Sequence, residues 1–392
     1  MSFLANRVFH GTCVLLLLGA ATSPAITKKP AKKVAKVARK LAAPVAPVIT
    51  AVKKTTVRTL RGPWRVPTYA DSTEGDRIEG EDPTVRRAAL DALGKLNGTV
   101  VVADPETGRI LSIVNQRLAL RDGFQPCSTV KIPVALAALS ESIVERDTRI
   151  RLYGRTSMTM TEALAKSSNQ YFASMGMKLG FERVSYYAHL FGLGEKAGLD
   201  IEGEQAGLLP AAPPKNGMGM MTSFGDGIAL TPLELTALVS AVANGGTLYY
   251  LQYPRTQEEA QTILPRVKRH LDIEALIPEI KPGMAGAVEY GTARRIGFDP
   301  REPIFGKTGT CTDERSPTHL GWFGSFSETS RGKLAVTVLL TGGHGVSGPA
   351  AAGVAGNVYK NLGAVDYVAK IGTEPIYPRP ISLSLQSSVR DK

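Results

Sequence analysis

The sequence is short of the residues on which several common chemistries depend. It holds three cysteines and five histidines in 392 residues, and neither type falls in metal-ligand spacing. HExxH, a GxSxG elbow and a Cys-rich knuckle are all missing, so no metal and no cofactor are expected. No apolar run reaches the roughly 18 residues of a membrane-spanning helix, which excludes a polytopic membrane protein and leaves room for one short anchor. Gly306-Lys307-Thr308 ends like a phosphate loop. Arg301, however, stands where that loop needs its first glycine, and Thr308 lies in a strand pattern rather than before a helix. What is present, 43% apolar and 21% charged residues, is the composition of a folded globular chain and excludes a disordered or collagen-like one.

Acidic residues are absent from one long stretch. Twelve Lys or Arg and no Asp or Glu fall between Lys28 and Arg65, which accounts for the whole net charge of +12 and leaves the chain beyond residue 65 close to neutral. The tract is low in complexity, rich in Lys, Ala, Val and Pro, and reads as a solvated linker over 26–65. It could also adhere to an anionic membrane or wall surface. Ahead of it, residues 1–25 run from a lone Arg7 through an apolar core to small residues at Ser23 and Ala25. This reads as an export signal, cleaved after Ala25 or kept as a short inner-membrane anchor. An exported, periplasmic or otherwise extracytoplasmic protein meets no nucleic acid, so the basic charge does not imply that partner. It also meets an oxidising compartment, where Cys127 and Cys311 can bridge.

Apolar spacing predicts a helix over 83–96, then a hairpin of strands 99–103 and 109–115 around Asp104-Pro105-Glu106-Thr107-Gly108. Helices are expected over 128–144, 160–179, 182–191, 231–244 and 284–294, and strands over 304–310, 321–327 and 334–341. Two strands, a helix-rich middle and three strands imply an α+β fold. One antiparallel sheet would draw on both ends of the domain, 66–372, with helices packed against it. The tail over 373–392, rich in Pro and Ser, is expected to be loosely ordered.

Three short motifs carry the chemistry. In Ser128-Thr129-Val130-Lys131, positions three apart share a helix face and set an amine beside a hydroxyl, a nucleophile with a base. The helix start also aims N–H groups and a positive dipole at that spot. Ser167-Ser168-Asn169 supplies a hydroxyl and an amide from a helical region. Lys307-Thr308-Gly309-Thr310 lies on a strand whose Gly309 would let a ligand come close to the backbone.

Together and in this order the three motifs resemble the penicillin-binding transpeptidase and serine β-lactamase superfamily. The resemblance covers about 66–366. It is strengthened by VVADPETGRILSIVN, by GDGIALTPLELTALVSAVANGG and by Gly291-Thr292-Ala293. It implies a D,D-transpeptidase that acylates Ser128 with a peptidoglycan stem peptide ending in D-Ala-D-Ala, and that β-lactams would trap. A D,D-carboxypeptidase would result if water replaced the acceptor amine. By the same resemblance neutral Lys131 is the base, its pKa lowered by burial and by Lys307. Ser167 relays the proton, and Asn169 holds a substrate amide. Lys307, Thr308 and Thr310 face the terminal carboxylate, and the N–H groups of Ser128 and Thr310 form the oxyanion hole.

One departure stands beside the nucleophile, where Cys127 replaces the usual glycine. Some class A carbapenemases are similar in carrying cysteines at both motif-relative places, joined as a disulfide. A Cys127–Cys311 bridge is therefore expected, against the alternative of two small buried thiols. A β-lactamase needs a base for its deacylating water, and no ExxLN-like segment lies between Asn169 and Lys307. A sensor that stays acylated would need a signalling domain, for which no spare segment is seen.

Overall fold

The structure, a computed structural model, describes residues 64–367 apart from 153, 155, 314–316, 330–331 and 365. The expected export signal, nearly all of the basic linker and the tail after 372 lie outside the described residues. Among the described residues no helix is long and apolar enough to cross a membrane.

The centre is a five-stranded antiparallel sheet made of β1 (Gly98–Ala103), β2 (Ile110–Val114), β3 (Ile304–Asp313), β4 (Thr318–Thr329) and β5 (Gly332–Gly342), in the order β2-β1-β5-β4-β3. Both chain ends thus build it, as the pattern implies. β1 reads GTVVVA and is buried throughout. Its side chains alternate between two cores: Val101 and Ala103 face one, Val100 and Val102 the other. A sheet covered on both faces explains why the strand is a continuous apolar run.

Eight helices matter for the site: α1 (Pro83–Leu93), α2 (Lys131–Ser140), α3 (Met160–Ala165), α4 (Asn169–Leu190), α5 (Met218–Phe224), α6 (Pro232–Ala243), α7 (Ile277–Glu289) and α8 (Gly348–Gly363). α1 and α8 pack on one face of the sheet, α2, α4 and α6 on the other. α1 begins at the Asp82 cap with Pro83 in its first turn, and stops at Leu93 rather than 96 because Gly94 takes a left-handed φ of 57°.

Four expectations are corrected. The helix read over 128–144 is a 3₁₀ turn, Cys127–Val130, followed by α2. Pro133 has no N–H to give the Thr129 carbonyl, so an α-helical bond is missing there and the tighter turn is tolerated. The helix read over 160–179 breaks at Ser167, whose φ is 57°, and Ser168 caps the second piece by accepting from the Tyr171 N–H. α7 begins at Ile277, not 284: Pro278 sits in its first turn, where a missing N–H costs nothing, and Pro282 is carried inside. α8 was not anticipated: its buried stripe, Ala351, Ala355, Val358 and Leu362, is made largely of small residues and is interrupted by glycines, and Ser347 caps it.

Glu234, buried at the start of α6, closes a capping box with Thr231 and also accepts the N–H groups of Gly194, Glu195 and Gly207. Burial pushes its carboxyl up to about 7 against the pull of those donors. One side chain therefore pins the loop after α4 to α6. Glu234→Ala would leave several buried N–H groups unpaired at about 1–3 kcal/mol each. We expect a loss of stability of several kcal/mol in thermal or urea unfolding; an unchanged midpoint would refute the anchoring role.

Candidate active site

Ser128 sits in the 3₁₀ turn that leads into α2, and contacts with β3, β4 and the segment before α6 hold that turn in place. Cys127 and Cys311 form a disulfide with Cα atoms 5.5 Å apart, the expected bridge. The Trp322 indole N–H of β4 donates to the Gln125 carbonyl at 2.9 Å. Phe124 and Leu230 exchange backbone hydrogen bonds at 2.9 and 2.7 Å. Gly309 has a packing role besides the one expected. A Cβ there would lie 2.9 Å from the Pro126 carbonyl oxygen and 3.2 Å from Cys127 Cβ and Thr129 Cγ2. The missing side chain admits the nucleophile turn.

Lys131, in the first turn of α2, is fully buried. Its Nζ lies 2.6 Å from Ser128 Oγ, 2.8 Å from Asn169 Oδ1 and 2.6 Å from the Ser223 carbonyl oxygen at the end of α5. The rings of Phe172 and Phe224 stand 5.8 Å away. Burial lowers its pKa to about 7. A neutral amine keeps two hydrogens, and the Asn169 and Ser223 oxygens can take both, which leaves the lone pair directed at Ser128 Oγ. The motif spacing places Lys131 beside Ser128, but Ser223 contributes through a backbone carbonyl, which no residue-type signal could reveal.

The break between α3 and α4 brings Ser167 and Asn169 to the same spot. Lys307, buried on β3, donates to Ser167 Oγ at 2.8 Å and to the Thr308 carbonyl at 2.9 Å. Its pKa is held well below the usual lysine value, first by burial and then by the charge of Lys131. The two buried amines repel one another, and burial is the main cause that lowers each. Thr308 Oγ1 shares a 2.5 Å hydrogen bond with Thr292 Oγ1, and the Thr292 N–H donates to the Ala165 carbonyl. Gly291 leaves room for that approach, since a Cβ there would meet the same carbonyl at 2.1 Å. The Gly291-Thr292-Ala293 segment thus ties the end of α7 to the end of α3. Thr310 is exposed, and its hydroxyl accepts the Gly348 N–H at 2.7 Å.

β3 is an edge strand, so its outer backbone groups are open to an extended peptide. The five side chains of Ser128, Lys131, Ser167, Asn169 and Lys307 thus converge beside an open strand, and none of them makes a hydrogen bond or ion pair to a carboxylate among the described residues. Among the same residues no cluster of His, Cys, Asp or Glu could hold a metal ion. The arrangement can activate a hydroxyl as a nucleophile and hold an acyl group next to a peptide-binding edge.

The family model for the penicillin-binding protein transpeptidase domain matches residues 98–362. The chain is 29% identical over 299 residues to stage V sporulation protein D of Bacillus subtilis, covering 67% of this chain and 45% of that protein. It is 25% identical over 334 residues to peptidoglycan D,D-transpeptidase PbpA of Mycobacterium tuberculosis, covering 67% and 66%. The chain therefore spans about half to two thirds of the length of these relatives. Among solved structures, Pseudomonas aeruginosa PBP2 in complex with WCK 5153 superposes with a TM-score of 0.62 at 25% identity, covering 72% of this chain and 74% of that one.

Two outcomes test the seam between turn and strand. Gly309→Ala should push the turn outward and slow acylation of Ser128 by about 10²-fold; an unchanged rate would show that the turn is not seated by this contact. The disulfide closes a separation of 184 residues, for which chain entropy gives a stabilisation of about 5 kcal/mol. Cys127→Ser/Cys311→Ser should lower the unfolding midpoint accordingly, and no shift between oxidised and reduced protein would remove the bridge from the account.

Proposed function

The chain belongs to the penicillin-binding protein transpeptidase family, and from that premise we propose that it is a peptidoglycan D,D-transpeptidase. The observation that carries this reading is the Lys131 amine, lowered to about 7 and held 2.6 Å from Ser128 Oγ by two fixed acceptors. Ser128 gives its proton to neutral Lys131 as its oxygen attacks the carbonyl between two D-alanines. The N–H groups of Ser128 and Thr310 receive the oxyanion, a contribution of about 10² to 10³ in rate per donor. When the C–N bond breaks, the leaving nitrogen takes the proton that Lys131 had accepted, passed on through the Ser167 hydroxyl beside Lys307, and Lys131 is neutral again. The ester on Ser128 is then resolved by an amine of a neighbouring stem peptide, which gives a proton to Lys131 as it attacks; the C–Oγ bond breaks and Lys131 returns that proton to Ser128 Oγ. Thr308, tied to Thr292, and Lys307 face the terminal carboxylate; Asn169 Oδ1 serves Lys131, which leaves its amide N–H groups for the substrate.

A β-lactam presents a carbonyl in the same place and would acylate Ser128. The disulfide beside the nucleophile favours a second reading, a β-lactamase. Against it stands the lack, among the described residues, of a carboxylate bonded to the site's side chains. Export to an extracytoplasmic compartment, a signal or anchor over 1–25, a basic linker over 26–65 that can hold an anionic surface, a catalytic body over 66–372 and a tail over 373–392 belong to this proposal. They rest on the sequence and on the disulfide.

Labelling with a fluorescent penicillin tests the reading. Ser128→Ala should lose all label, and Lys131→Ala should acylate about 10² to 10⁴ times more slowly. Because only the neutral amine can accept the proton, the acylation rate should rise with pH up to about 7 and then level off. Label on wild-type protein should persist for minutes or longer. A pH-independent rate would dismiss Lys131 as the base, and rapid turnover of nitrocefin would favour the β-lactamase.

A further inference from the structure

Beyond the end of β3 the surface opens into a groove that the proposed chemistry does not use. A cavity of about 540 Å³ begins at Asp313 and Thr318 and reaches Phe124 and Arg121. A second, of about 560 Å³, shares Arg117, Arg121 and Asp122 with it. A third, of about 740 Å³, shares Arg117 and Leu120 with the second and runs on to Ile201, Glu202 and Arg255. The shared residues make the three one continuous track around the segment that precedes the nucleophile.

The direction of the substrate leads into this track. With the terminal carboxylate at Lys307 and Thr308 and the scissile carbonyl at Thr310, the amino-ward part of the stem peptide continues along β3 past Cys311. Four extended residues separate the scissile carbonyl from the sugar that bears the peptide, about 13 Å at 3.3 Å per residue. Thr310 to Asp313 spans about 10 Å on the same rise. The sugar therefore arrives where the groove begins.

The lining suits a sugar chain. Arg77, Arg117, Arg121 and Arg255 are matched by as many carboxylates, so the lining offers charged donors and acceptors in equal number. Gln205 also faces it, while Asn97 and Asn115 line it with their amides donating to the Pro67 and Gly98 carbonyls. Planar guanidinium, amide and carboxylate groups in alternation fit repeated hydroxyls, N-acetyl groups and single carboxylates. We infer that this groove binds the glycan strand carrying the donor stem peptide, an inference that rests on the transpeptidase reading above.

The test is binding of the full chain to fluorescent peptidoglycan glycan strands stripped of their stem peptides, alongside acylation of wild type by a fluorescent penicillin. Wild type should bind the stripped strands. Arg117→Ala/Gln205→Ala, in the middle of the track, should bind about tenfold or more weakly, in line with losing hydrogen bonds to a charged donor, with an unfolding midpoint like that of wild type. Arg183→Ala, an exposed arginine on α4 paired with Glu141, should bind as wild type does. Equal binding by the double variant and wild type, equal loss in Arg183→Ala, or no binding by wild type that acylates normally would overturn the groove while leaving the transpeptidase intact. Displacement of the strands by a phosphate polymer but not by unlabelled glycan would overturn it in favour of an anion site. Failure of wild type to acylate would instead remove the reading on which the groove's direction depends, and the inference with it.

Discussion

Everything at the site follows from an amine taken out of water without a carboxylate beside it. Removing an ammonium from water costs several kcal/mol unless its charge is compensated. Among the described residues the compensation at Lys131 is two fixed oxygens, one serine hydroxyl and the faces of Phe172 and Phe224. The outcome is a lysine at about 7, which is neutral often enough to act as a base. A carboxylate in contact would have stabilised the fold and kept the proton on the lysine. The core around α2, α4 and α5 is thus organised to withhold a counter-ion as much as to exclude water.

That arrangement works only if the nucleophile turn is held against β3. Cys127 takes a φ of 52°, in the left-handed region, where glycine would be at ease and a side chain costs energy. The disulfide, the Gly309 gap and the Trp322 indole bond to Gln125 offset that cost by fixing the turn from three sides. The cysteine that departs from the family's glycine therefore exchanges local ease for a covalent link across the site. The link also adjoins both backbone donors proposed for the oxyanion hole, Ser128 and Thr310, so their separation is set by the same seam.

The second lysine extends the logic. Lys307 is as deeply buried as Lys131 and feels its charge, so the two amines together hold less positive charge than two free lysines would. Ser167, strained at the break between α3 and α4, stands against Lys307, while Asn169 stands against Lys131. One break in one helical region thereby delivers a partner to each amine. The groove beyond Asp313 lies at the other end of the same strand, so β3 would link the proposed carboxylate contact, the proposed acylation and the polar track in a single line.

The order of the three motifs, the period-two run of β1, and the caps at Asp82 and Thr231 are local properties, written in neighbouring residues. The sequence alone therefore determined the α+β sheet built from both ends and the identities of Ser128, Lys131, Ser167, Asn169 and Lys307. It also determined the pair of cysteines available to bridge. It misread the 3₁₀ turn before Pro133 and the early start of α7, whose proline cues are local but easily passed over, and it misread the helical break at Ser167 and α8, which depend on what packs against them. The role of Gly309 and the contribution of the Ser223 carbonyl were decided only by tertiary structure. The first is a space that matters because the Pro126–Thr129 backbone fills it, and the second is a main-chain group that every residue type carries alike. The depth of burial that lowers Lys131 belongs to the same class, since desolvation is a property of the surroundings and not of the lysine.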